Sequence, residues 1–159
     1  MKAKKSLLLP ALMIATMLAG CIGKVRQPEV QLAGVRVGGL GLRGATLIAD
    51  LEIKNPNSFT IETDSIVYTF EAADPNHAGG WAQVTQGNYN QRIQVKDGGK
   101  TTVEVPIEFN YTGMNAAVQS IMNRGTFNYR VHGNVYVREP LHRTIPFNRS
   151  GNVSLQGVR

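Results

Sequence analysis

Gly44-Ala45-Thr46-Leu47-Ile48-Ala49-Asp50-Leu51-Glu52-Ile53-Lys54 runs directly into Asn55-Pro56-Asn57-Ser58-Phe59, and this stretch decides the fold class. Leu47, Ala49, Leu51 and Ile53 share one parity, while Asp50, Glu52 and Lys54 share the other, which is the pattern of a strand with one dry and one wet face. Pro56 has no N–H to donate and holds its predecessor extended, and Asn55 and Asn57 can hydrogen-bond the backbone of a turn. The expected local structure is strand, Asn-Pro-Asn turn, strand.

The same period of two continues on both sides. Upstream, Val30 and Leu32 alternate and then Val35 and Val37, with the parity changing across Ala33-Gly34 as a β-bulge would change it. Downstream, Ile66, Tyr68 and Phe70 alternate with Thr63, Ser65, Val67 and Thr69, and the residue types leave open which set faces inward. Further strands are expected at Val103 to Phe109, at Phe127 to Val137 with Gly133 inside it, at Ile145 with Phe147, and at Val153 with Leu155. Ala72 to Asn90, with Asp74-Pro75-Asn76 and Gly79-Gly80, is expected to be a loop or a weak edge. One segment has helical spacing: Met114, Ala117, Val118, Ile121 and Met122 form a stripe between Thr112 as N-cap and Gly125 as stop. About seven short strands plus one short α-helix, around residues 113–124, describe an all-β antiparallel β-sandwich.

Length and composition fit one such domain. The chain has 159 residues, of which 42% are hydrophobic and 18% charged, enough apolar surface to offset the entropy of folding. A single cysteine allows no internal disulfide, and there is no Cys/His cluster for a structural zinc site. The net charge of +6 is misleading until the N-terminus is read. Residues 1–20 hold a basic start, Met1-Lys2-Ala3-Lys4-Lys5, then an apolar run from Ser6 to Met17 that contains Pro10 and is too short to span a bilayer. The run ends in Leu18-Ala19-Gly20-Cys21, which resembles the bacterial lipobox and implies removal of residues 1–20 and acylation of Cys21. Two or three acyl chains, each buried methylene contributing about 0.8 kcal/mol, anchor a protein durably.

Removing the signal takes away Lys2, Lys4 and Lys5, leaving fourteen basic against eleven acidic side chains over 139 residues, net +3. Residues 21–28 form a lipidated tether and 29–159 the folded domain. By resemblance to lipoprotein sorting, Ile22 after the cysteine implies the periplasmic face of the outer membrane. Lys24 and Arg26 follow closely enough either to meet anionic headgroups or to stay solvated.

The chain offers little chemistry. Gly39-Leu40-Gly41-Leu42-Arg43-Gly44 matches the dinucleotide fingerprint by letter, but the mechanism needs a helix N-terminus after the glycines, and strand alternation follows instead. His77, His132 and His142 have no acidic partner at ligand spacing, so no metal is expected. There is no G-x-S-x-G elbow, H-E-x-x-H or P-loop, so no catalytic residue and no cofactor is expected. The acids alternate with core residues, which is how solvated sheet faces look, although a carboxylate pair stays open as an enzymatic alternative. The arginines after residue 123 are dispersed over several elements, unlike a nucleic-acid interface.

Gly44-Ala45-Thr46, through Asp50, Ile53, Asn55-Pro56-Asn57 and Ile61 to Ile66-Val67-Tyr68, resembles the WHy (water stress and hypersensitive response) domain of type 2 late embryogenesis abundant (LEA) proteins. The similarity covers about 120 residues in order. It implies an immunoglobulin-like or fibronectin-III-like sandwich with an added helix, a role in desiccation, osmotic or cold stress, and no catalytic residues to carry over. The expected function is that of a non-enzymatic envelope lipoprotein, held to the membrane by its lipid and protecting unfolded or stressed client proteins or the membrane itself. The alternative is an adaptor that binds one specific partner of an envelope complex through an edge strand or the helix face.

Overall fold

The computed structural model describes residues 25–74, 79–113, 119 and 123–154. Among these, eight strands form two antiparallel sheets packed face to face, the expected all-β sandwich. The first sheet has the order β1 (Glu29–Leu40), β2 (Gly44–Lys54), β6 (Lys100–Asn110). The second has β4 (Trp81–Tyr89), β3 (Ile61–Ala73), β7 (Thr126–Glu139), β8 (Arg143–Ser154), and the short β5 (Ile93–Val95) continues the β4 edge beside β3.

The alternation in β2 is realised in full: Leu47, Ala49, Leu51 and Ile53 are buried, and Asp50 and Glu52 lie on the outer face. Outside, Arg36 of β1 reaches Asp50 at 3.4 Å and Glu104 of β6 at 2.6 Å, so the charges pair across the three strands. The register between β1 and β2 slips between Leu32 and Gly34, which places the expected bulge at Ala33-Gly34, and slips again between Val37 and Gly39.

β3 resolves the question of its inward face by changing it. Ile66, Tyr68, Phe70 and Ala72 point into the core, yet so do Ile61 and Thr63, on the opposite parity. The switch occurs where the β3–β7 register shifts on both sides of Thr63. Periodicity cannot place such a slip, because Ser65 and Val67 suit either face. At the centre of the core Phe70 stacks on Tyr129, ring centroids 5.9 Å apart, and meets Phe127 edge-on at 6.4 Å.

The described strands number eight, in keeping with the expected seven or so: residues 81–89, inside the stretch expected to be a loop or weak edge, form a nine-residue edge strand, and 93–95 add β5. No residue of β4 is fully buried. Backbone pairing to β3 makes it a strand; Ala82, Val84 and Tyr89 pack only partly against the core, and a register shift at Val84 breaks the alternation between them. The helical stripe of Met114, Ala117, Val118, Ile121 and Met122 lies outside the described residues, where Gln119 and Asn123 are helical and a short 3-10 turn, Tyr111–Gly113, leads in.

The antiparallel registers define two poles. Glu29, Lys54 and Lys100 sit side by side at one end, with the β2–β3 connection, the β5–β6 turn and the β7–β8 turn. Leu40, Gly44 and Asn110 mark the other end, together with Ala73, Trp81 and Thr126.

Candidate functional site: the Asn55 pole and the opposite groove

Asn55 and Asn57 are almost fully buried, and with Thr63 they make up the buried polar residues among those described. Burying an amide is costly unless its groups are bonded, and both are. The Asn55 side-chain amide donates to the carbonyls of Phe59 (2.6 Å), Lys96 (3.1 Å) and Val95 (3.2 Å), while its Oδ1 accepts the Asn57 N–H at 3.1 Å. The Asn55 N–H donates to Gly99 O and the Gly98 N–H donates to Asn57 O, each at 2.9 Å. One side chain thus closes its own turn and ties it to the β5–β6 turn forty residues later. Gly98 has φ of 59°, a left-handed conformation in which glycine is unstrained.

Asn57 does something the sequence did not announce. Its Oδ1 accepts the Arg26 N–H at 2.7 Å and its Nδ2 donates to the Arg26 carbonyl at 2.8 Å. The pair imitates one rung of a β-ladder and holds the segment ahead of β1 against the pole, where Pro28 is buried. The chain is therefore attached to the domain from Arg26, ahead of the boundary expected at residue 29. The expected turn residues Asn55, Pro56 and Asn57 come together here. The lipobox residues Leu18, Ala19, Gly20 and Cys21 lie outside the described residues. Arg26 matters through its backbone, which no residue-type pattern reveals.

At the opposite pole an open groove of about 590 Å³ is lined by the β1–β2 turn, including Leu40, Arg43 and Thr46, and by Glu108, Phe109 and Asn110. Leu42 at the tip is fully exposed and Leu40 is nearly half exposed. The fingerprint-like glycines 39, 41 and 44 belong to this turn, and strand β2 follows them, so the helix N-terminus needed to hold a pyrophosphate is not what comes next.

Two tyrosines close the edges of the sandwich. Tyr68 of β3 donates its hydroxyl to the Pro106 carbonyl of β6 at 2.9 Å. Tyr129 of β7 hydrogen-bonds the backbone of Val35 in β1. Burial raises the Tyr68 pKa above 10, and the Glu108 carboxylate adds to it. Burial raises that of Tyr129 as well, against Arg149 and the Val35 bond, which lower it.

On the outer face of the second sheet Glu71 accepts from Arg130 Nε at 2.6 Å, and His132 Nδ1 lies 3.4 Å from the same oxygen. The Arg130 guanidinium also covers Trp81, 4.8 Å from the ring centroid. The hydrogen bond to Glu71 raises the pKa of Arg130. His132, on the parity opposite to the buried Val131, Val135 and Val137, thus lies on the outer face, next to a carboxylate already engaged by arginine. No group of three His, Cys, Asp or Glu residues suited to a metal ion occurs among the described residues.

The family model for late embryogenesis abundant protein, LEA_2, matches residues 50–151, from the middle of β2 almost to the end of β8. The chain belongs to the LEA_2 family. Comparison with curated proteins returns no significant match. Among solved structures the LEA_2 chain is similar to AT1g01470 from Arabidopsis thaliana, with TM-score 0.65 and 18% identity over 82% of this chain and 83% of that one. It is also similar to a protein described as late embryogenesis abundant, At2g46140.1, with TM-score 0.59 and 20% identity over 94% and 87%. A protein from Archaeoglobus fulgidus matches with TM-score 0.57 and 17% identity over 82% and 98%. At these identities the structures establish the shared sandwich. LEA_2 membership itself points to a stress-related, non-enzymatic protein.

Proposed function

We propose that this LEA_2 chain is an envelope lipoprotein, acylated at Cys21, whose WHy domain protects proteins or the membrane surface during desiccation, osmotic or cold stress. The observation that carries the reading is the family match over residues 50–151 in a chain that also holds Leu18-Ala19-Gly20-Cys21 after an apolar run. The described polar side chains agree with a non-catalytic role: the buried Asn55 and Asn57 bond backbone groups, and many acids pair with cations on the neighbouring strand. Ile22 after the cysteine favours the periplasmic face of the outer membrane.

The test is a labile enzyme taken through drying or freezing and thawing with residues 22–159 added. Enzyme survival above that given by an equal mass of an inert sandwich protein supports protection, and equal survival removes it. A deletion strain complemented with wild type or Cys21→Ser asks whether tethering matters to survival.

The exposed Leu40 and Leu42 beside the groove favour a second reading, an adaptor that holds one partner. Crosslinking in cells separates the two, since a single stoichiometric partner supports the adaptor and a diffuse set of clients supports the protectant.

A further inference from the structure

The Asn57–Arg26 rung lies five residues after Cys21, and the two facts together determine more than attachment. We infer that the rung orients the domain on the bilayer, so that the pole holding the Asn55 turn and the β5–β6 turn meets the lipid headgroups and the Leu42 pole is turned away. The inference rests on the lipid-anchor reading of Cys21.

Cys21 to Arg26 spans five peptide units, a contour of at most about 18 Å. Without the rung the leash would run to the start of β1 at Glu29, eight units and at most about 29 Å. An eleven-residue strand such as β2 is about 35 Å long. A leash half that length, fixed at the Asn55 pole, excludes the pose in which the domain stands on its Leu42 turn, because Arg26 would then lie about 35 Å from the headgroups. The Asn55 pole is therefore the end held to the bilayer, and the groove lies at the other end. The bilayer-facing pole suits its neighbour: Val25 is exposed there, and Arg26 and Lys96 are exposed cations. Lys54 and Lys100 alongside them are balanced by Glu29 at 3.4 Å and Glu52 at 2.8 Å, so charge adds little and the leash supplies the orientation.

The experiment uses the full chain, purified from membranes and reconstituted in vesicles of phosphatidylethanolamine and phosphatidylglycerol with a nitroxide quencher on the headgroup. A fluorescent amino acid is encoded in place of Asp97, in the β5–β6 turn, or of Leu42. Quenching several-fold stronger at position 97 than at 42 is expected, and Asn57→Ala should narrow the difference. Equal quenching, stronger quenching at 42, or none at either site overturns the orientation. Palmitate incorporation at Cys21 is read on the same preparations. An unacylated chain removes the anchor and with it the leash that orients the domain, whereas an acylated chain without the contrast removes the orientation and keeps the anchor. If Asn57→Ala does not fold, Asn57→Asp keeps the acceptor for Arg26 N–H and loses only the donor, and the contrast between 97 and 42 in the unmutated background decides by itself.

Discussion

The Tyr68 ring lies over the backbone of Gly87 on the neighbouring strand, so close that a methyl group added to the glycine would come within 2.6 Å of the ring carbon that bears the hydroxyl. Tyr129 covers Gly151 in the same way, at 2.8 Å. Each ring crosses a glycine on one side and bonds the opposite sheet on the other, Tyr68 at the β6 edge and Tyr129 at the β1 edge. Gly133 follows Tyr68 on its other flank, and there the obstacle is the Val67 carbonyl and the Phe147 ring.

A graded glycine series follows from this packing. Gly133→Ala should be the most damaging, because backbone cannot give way, with Gly87→Ala and Gly151→Ala each costing about 1–3 kcal/mol through displaced rings. Gly34→Ala meets nothing within 4 Å and should change stability by less than about 0.5 kcal/mol. Urea midpoints at constant m-value give the ranking, and a Gly133→Ala protein as stable as Gly34→Ala would contradict it.

The raised tyrosine pKa values make the fold sensitive to alkali. Below the ordinary value of 10.0 both the folded and unfolded chains hold neutral phenols, so the contribution is intact. As pH rises past 10 the unfolded chain ionises first, and stability falls until the folded values are passed, by at most about 1.4 kcal/mol per pH unit for each residue. Tyr68→Phe should cost about 1 kcal/mol at neutral pH by leaving the Pro106 carbonyl without its donor. Combined with Tyr129→Phe it should flatten the alkaline decline, which thermal melts across that range would read.

Asn55→Ala removes the donor to three carbonyls and the acceptor for the Asn57 N–H, for a loss of about 3 kcal/mol. Asn55→Asp should be comparably harmful, since a carboxylate cannot donate. Denaturation of the two variants in parallel checks this, and an Asp variant near wild type would show that the acceptor alone matters.

Asn57→Ala should cost less, about 1–2 kcal/mol, and should free the segment ahead of β1. Trypsin should then cut after Arg26 faster than in wild type, while cleavage within the sheets is unchanged. Unaltered cleavage after Arg26 would mean that the rung does not hold the segment.

Thr63 is buried, and its hydroxyl has no hydrogen-bond partner among the described residues. Thr63→Val replaces a desolvated hydroxyl by a methyl of similar size and should raise stability by about 1 kcal/mol. A loss on substitution would show that the hydroxyl is served after all.

Much of this fold was written in local chemistry. The alternation of Leu47, Ala49, Leu51 and Ile53 required a half-buried strand, the parity break at Ala33-Gly34 required a bulge, and Asn55-Pro56-Asn57 required a turn, because each depends only on neighbours along the chain. β4 was obscure because its core contacts are only partial and a register shift at Val84 breaks their parity. The parity change in β3 was obscure because Thr63 is polar yet points inward. The candidate site divides the same way. Cys21 and its lipobox are a linear signal and are legible as one, and the two asparagines were legible as turn residues. That Asn57 grips Arg26, thirty-one positions earlier, and that Tyr68 and Tyr129 lock the two sheet edges over glycines, depended on which strands the tertiary structure brought side by side. Hydrogen bonds and ring contacts act over a few ångströms of space, and distance along the chain does not report that separation until the sheets have closed.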